Sequence, residues 1–193
     1  MAAITLKRKG YGQVEPNHLS GIVTGQIYAQ LPAKTTSTAI TQLEQGQFVK
    51  YDYATGEVNF TGDGEWLLVY NEEKLYDERH QMHKDFVYKT TDFTDGKMYP
   101  RLIKTNVQDI YTTNTLEANT SNTAETTGIS VDLGYYLEIG ATGFLTVVKN
   151  SGTPVTTLAN AKTYATDASM LWKVVKIYTM PDGQQGIKIQ RVV

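Results

Sequence analysis

The sequence predicts a mainly β fold: a β-barrel or β-sandwich core with an extended N-terminal arm. Three observations carry this expectation. Thirteen tyrosines stand among abundant Thr and Val, and aromatic and β-branched side chains suit a pleated, half-buried surface. Sixteen glycines punctuate the chain, and turn signals recur at the spacing of short antiparallel strands. No stretch shows sustained helical periodicity, and the 193 residues are enough for one substantial core.

Taken in order, residues 1 to 21 contain "LKRKGYG" and "QVEPNHLSG", where Gly10, Gly12, Pro16 and Gly21 interrupt every period. This reads as an extended arm, mobile until a neighbouring subunit orders it. A first strand is expected near residues 26 to 31. The runs 47 to 53 and 57 to 61 flank "ATG", a hairpin signal in which Gly56 supplies the positive φ of the turn. The apolar run 65 to 70 follows "GDG" and reads as a buried strand. "NEEKLYDERHQMHKDFVYKTTDF" fits a short helix or an ordered loop equally. Strands follow near 101 to 104 and 109 to 113. "TTNTLEANTSNTAETTG" has too little apolar content to fold alone. Further strands are expected at 129 to 139, 144 to 149, 171 to 179 and 187 to 192. In the last hairpin, strict alternation sets Leu171, Lys173, Val175 and Ile177 against Trp172, Val174, Lys176 and Tyr178. "PDG" marks its turn, Pro181 presetting φ and Gly183 accepting a positive one.

The chain therefore divides into an arm (1–21), a first β-rich part (22–116), a Thr/Asn-rich loop or linker (117–128) and a second β-rich part (129–193) that completes the same core. The net charge of −2 offers no basic excess for a nucleic-acid partner. Without cysteine there are neither disulfides nor thiolate metal sites. "MAAITLKRKG" places its charges after a short apolar run, the reverse of a secretory signal, and no run of apolar residues is long enough to span a membrane. A soluble chain made without a classical export signal is expected.

Motifs that would carry chemistry are thin. His80 and His83, with Asp77 and Glu78 nearby, have a spacing that shares a helix face, but a catalytic zinc site needs a third ligand and no "HExxH" is present. A solvated face or subunit contact is the reading adopted. Asp52, Glu57, Asp63 and Glu65 sit around turns, where acidic residues are common without catalysis. There is no "GxSxG", and His18 has no evident serine partner. "GDG" lacks the remaining ligands of a calcium loop, and "GATG" lacks the dinucleotide fingerprint. The expectation is no catalytic, metal or cofactor site and no enzyme activity. One charge cluster stands out: Lys7, Arg8 and Lys9, followed by Tyr11, read as partner-binding residues of the arm.

Together, "LEQGQFVKYDYATGEVNF", "RLIKTNVQDIYTTNTL", "GYYLEIGATGFLTVVKNSG" and "LWKVVKIYTMPDGQQGIKIQRVV" resemble virion structural proteins of tailed bacteriophages, of the capsid decoration or cement type. The resemblance implies a protein of the virion that binds the major capsid protein and reinforces the head. It also implies a β-tulip-like core, a homo-oligomer or lattice-repeated copy, an arm along the lattice, and no cofactor, nucleic-acid partner or membrane. The rival is a phage fibre or tail module that binds a host carbohydrate or receptor, with Trp66 and Trp172 as the aromatics to stack on sugar rings.

Overall fold

The structure is a computed structural model that describes residues 3–16, 27–35, 39–70, 86–117 and 129–193. In chain order its strands are β1 (Ile4–Leu6), β2 (Val14–Pro16), β3 (Ile27–Gln30), β4 (Gln42–Leu43), β5 (Phe48–Asp52), β6 (Glu57–Asn59), β7 (Trp66–Val69), β8 (Tyr88–Lys89) and β9 (Arg101–Ile103). They continue with β10 (Ile110–Thr113), β11 (Ile129–Val131), β12 (Tyr136–Ile139), β13 (Leu145–Val147), β14 (Lys149–Asn150), β15 (Thr153–Pro154), β16 (Trp172–Thr179) and β17 (Gln185–Arg191). Among the described residues one α-helix, α1 (Leu158–Tyr164), and a 3-10 turn at Thr90–Asp92 interrupt them. Strand makes up 40% of the described residues, and one sheet curls as a half-barrel.

Two sheets organise the molecule. One has six strands in the order β13-β12-β16-β17-β10-β2, the other five in the order β3-β9-β7-β5-β6. The pairs within both sheets are antiparallel. The five-stranded sheet is buried on both faces. Phe48, Trp66, Leu68 and Ile103 share a core with Tyr111, Leu137, Leu145, Trp172, Ile187 and Ile189 of the other sheet. Val49, Leu67, Val69 and Leu102 point the opposite way, into a second core with Ala33, Ile40, Leu43 and Met98. Double burial explains why "WLLV" carries no polar alternate, since a strand covered on both sides reads as a continuous apolar run. A third cluster forms where Ala161 of α1 packs with Tyr136, Val148, Val155 and Leu171.

The turn after β12 stitches the sheets together. Phe48 N–H donates to the Gly143 carbonyl at 2.8 Å, and Gly143 has φ +78° with room for no side chain, because a Cβ would lie 2.1 Å from the Phe48 carbonyl oxygen. "GATG" is thus a tight turn whose last glycine the packing requires.

Several expectations are revised. The first hairpin loop is residues 53 to 56, because β5 ends at Asp52 opposite Glu57, although Gly56 does take a positive φ of 70°. The strand expected over 129 to 139 is two, β11 and β12, broken by a turn. Between the strands expected at 144 to 149 and 171 to 179, a stretch rich in Thr and Ala contains α1, whose first turn is capped as Thr157 Oγ1 accepts from Asn160 N–H at 3.4 Å. The largest revision concerns the N-terminus. Residues 3–16 are extended, as expected, but they are docked on their own chain: β1 pairs with β11 and β2 with β10. The mobile arm is therefore corrected over these residues. Strand pairing and the burial of Leu6, Tyr11 and Val14 offset the ordering cost that its glycines had seemed to forbid. Among the described residues no helix is long and apolar enough to cross a membrane.

Candidate functional site

The four residues expected to bind a partner fall into two groups. Arg8 and Tyr11 are buried, at 4% and 6% exposure, against their own chain. Lys7 and Lys9 remain exposed. The alternation of a strand-like backbone explains the split, because it turns Arg8 inward between two outward lysines. Arg8 ion-pairs with Glu44, both side chains being almost fully enclosed, and its guanidinium lies 5.4 Å from the Phe144 ring centroid. Glu44 also accepts from Gly12 N–H at 2.7 Å. Lys89 places its ammonium 5.9 Å from the Tyr11 ring.

The same segment is tied to the β16–β17 hairpin. Lys9 N–H donates to Gln184 Oε1 at 2.7 Å, and the Gln13 amide donates to Asp182 Oδ2 at 3.0 Å. Burial alone would raise the Asp182 carboxyl, but hydrogen bonds from Gln13 and Gln184 outweigh it and hold the group below the usual carboxylate range. The "PDG" turn is as expected, with Gly183 at φ +82°.

Beside the Arg8–Glu44 pair opens a groove of ≈ 390 Å³, bounded by Ile40, Glu44, Gln47, Phe60, Thr142 and Phe144. Its two principal polar side chains are committed elsewhere. Glu44 serves Arg8 and Gly12, while Gln47 accepts from Glu44 N–H at 2.9 Å and donates to the Thr142 carbonyl at 2.6 Å.

The carboxylates considered for acid–base work are each engaged in a structural hydrogen bond or ion pair, Asp52 and Glu57 as opposed residues of one hairpin. Asp52 accepts from Ala54 and Thr55 N–H, Asp63 from Tyr53 N–H, and Glu57 from the Thr35 hydroxyl. Glu65 pairs with Lys104 at 2.9 Å and Arg191 at 3.4 Å. Among the described residues no three His, Asp or Glu side chains converge on a metal-sized site. His18, His80 and His83, with Asp77 and Glu78, lie outside the described residues.

One carboxylate that sequence reading did not single out is better placed. Asp167 Oδ2 accepts from Trp66 Nε1 at 2.9 Å and from Lys50 Nζ at 3.0 Å, with that ammonium 4.7 Å from the Trp66 ring. Burial raises its pKa, but hydrogen bonds from Ser169, Trp66 and Lys50 more than offset this and hold the carboxyl well below its ordinary range. Glu138 accepts from the backbone N–H groups of Thr166 and Asp167 at 2.6 and 3.0 Å, fixing the loop that carries Asp167. This is a clasp between the loop before β16 and the five-stranded sheet. Trp66 and Trp172 are 4% and 0% exposed, so neither presents a ring to solvent.

The outward face of the β16–β17 hairpin is the other concentration of charge. Register opposes Lys176 to Lys188, Lys173 to Gln190 and Tyr178 to Gly186. Lys188 lies 5.0 Å from the Tyr178 ring and Lys173 5.7 Å from the Tyr136 ring. Alternation had set Lys176 on the face of Trp172. A bulge between Val174 and Lys176 resets the pleat, so that Ile177 packs on the first core and Lys176 is exposed.

No protein-family model, no curated protein and no solved structure matches this chain.

Proposed function

We propose that this protein is a non-enzymatic structural component of a bacteriophage virion, which binds the capsid as a decoration or cement protein and stabilises it. The observation that carries the proposal is how polar groups, from the enclosed Arg8–Glu44 pair to the half-buried Lys50–Asp167 pair, are used. Arg8 with Glu44, Arg191 with Thr105 and Glu65, and Asp167 with Lys50 and Trp66 each bridge segments far apart in the chain. Polar chemistry inside the molecule serves cross-bracing, as a protein that reinforces a shell requires. The finer description of the core as a sandwich of the β-tulip kind belongs to the same proposal and draws on the core shared between the two sheets.

The partners on this reading are the major capsid protein and further copies of this chain, since symmetric lattice sites favour symmetric occupants. The rival reading as a fibre or tail module loses its proposed sugar platform, because both tryptophans are enclosed. The test is co-sedimentation of the purified protein with capsids that lack it, followed by heating of decorated and bare capsids. Saturable binding and a raised disruption temperature are expected. No binding and equal capsid stability would remove the proposal, and a hit on a glycan array would favour the rival.

A further inference from the structure

We propose that the outward face of the β16–β17 hairpin, where Lys173, Lys176 and Lys188 stand together, is a docking face for an acidic protein surface. On the reading above, which this inference deepens, that surface is a cluster of carboxylates on the capsid subunit.

The bulge in β16 decides which residues face outward. Were β16 regular, Lys176 would point into the core and Ile177 outward. The extra residue at Val175 reverses both, and sets Lys176 directly opposite Lys188 on one face. Directly opposed side chains on adjacent antiparallel strands have Cβ atoms about 5 Å apart, and like charges in that position destabilise the pair. Among the described residues none of the three lysines takes part in an ion pair. Two of them lie over tyrosine rings instead, which orients the ammonium groups without neutralising them. Lysines often guard exposed sheet edges, but Lys188 sits on β17, flanked by β16 and β10, where there is no edge to guard. The fold thus maintains three lysines without counter-ions among the described residues on a rigid sheet, Lys176 exposed and Lys173 and Lys188 half-buried, and an acidic partner supplies what they lack. Lys9 joins the hairpin at its turn through Gln184, which brings the N-terminal cations to the same element.

A protein surface fits better than a nucleic acid. The chain as a whole is negative, at −2. Glu15 lies in the row that runs Lys176, Lys188, Thr112, Glu15 across the sheet, and Asp182 stands at the turn. A phosphate polymer would meet these carboxylates, whereas a compact group of acidic side chains engages the lysines alone.

The experiment compares the parent with Lys176→Glu and with Lys176→Glu/Lys188→Glu. Three readouts are used: melting temperature, binding to bare capsids at low and at moderate salt, and binding to poly-L-glutamate. Lys176→Glu replaces a repulsive cross-strand pair by an attractive one, so it should melt no lower than the parent. It should nevertheless bind capsids roughly tenfold more weakly at low salt, and the parent should lose affinity as salt rises. The double variant should lose poly-L-glutamate binding. If the parent binds poly-L-glutamate through these lysines but ignores capsids, the docking face stands and the capsid reading fails. If the parent binds capsids and both variants bind as tightly, the docking face is overturned. Tighter binding of oligodeoxythymidine than of poly-L-glutamate would overturn the choice of partner.

Discussion

Asp167 shows how one side chain joins elements that the sequence keeps far apart. Its carboxylate receives the Trp66 indole and the Lys50 ammonium, and both donors come from the five-stranded sheet. Because its folded pKa lies below the ordinary value, the unfolded chain takes up the proton first. The stabilisation is therefore complete above the ordinary carboxylate range near pH 4, and is lost as pH falls through that range toward the folded value. Asp167→Asn should melt below the parent at pH 7, and the gap should narrow as the pH is lowered to about 3. Scanning calorimetry of the two proteins side by side checks this, and a gap independent of pH would refute it. Nothing near Asp167 in the sequence marks it out. "TDAS" is an ordinary polar corner until β5 and β7 supply its donors.

At the scale of elements, the strands with continuous or alternating apolar residues were legible. β5, β6, β7, β9 and β16 lie close to where pattern placed them. What pattern misses has physical reasons. β1 and β2 are short, carry glycines between them, and exist because β11 and β10 offer them edges. Only the folded chain reveals those edges. α1 is a single short amphipathic run that buries Ala161, too brief for a periodicity to declare itself. The bulge at Val175 cannot be read from "WKVVKIY", because either register leaves a valine on each face. The lysine face was illegible for the same reason, as alternation had turned Lys176 inward.

The N-terminal segment is held to the rest of the chain by a buried ion pair. Replacing Arg8 by Met leaves Glu44 as a buried charge without its counter-ion, and should cost about 3 to 5 kcal/mol. Replacing both by Met should recover most of the loss, since a well-packed apolar pair often matches a buried ion pair. Urea denaturation followed by tryptophan fluorescence measures both, because Trp66 and Trp172 lie in the first core. Equal stability of the parent and Arg8→Met would show that the segment is not held by this pair, and would restore the arm to a loosely attached tail.

Across the whole molecule, the five-stranded sheet is the middle layer, with apolar packing on both faces. Its amides can exchange with solvent only when both cores open, so they report the global stability rather than local fraying. Hydrogen exchange should be slowest at Leu67, Leu68 and Val49, and clearly faster in β14, β15 and α1, which border only the third cluster or the surface. Mass spectrometry of exchanged peptides, with β16 as an internal reference, tests that order. Comparable rates in α1 and β7 would mean that the three clusters melt as one.

β17 lies between β16 and β10 in the six-stranded sheet, yet it follows every other described strand in the chain. During synthesis on the ribosome, β10 emerges long before the strand that will occupy its open side. Until then the nascent chain displays the unpaired backbone of β10 and the apolar side chains that β17 will cover. Exposed strand edges and incomplete cores are the features that draw partially folded chains into aggregates. The sheet closes by insertion of a wedge, so until β17 arrives the open side of β10 is exposed to its own siblings.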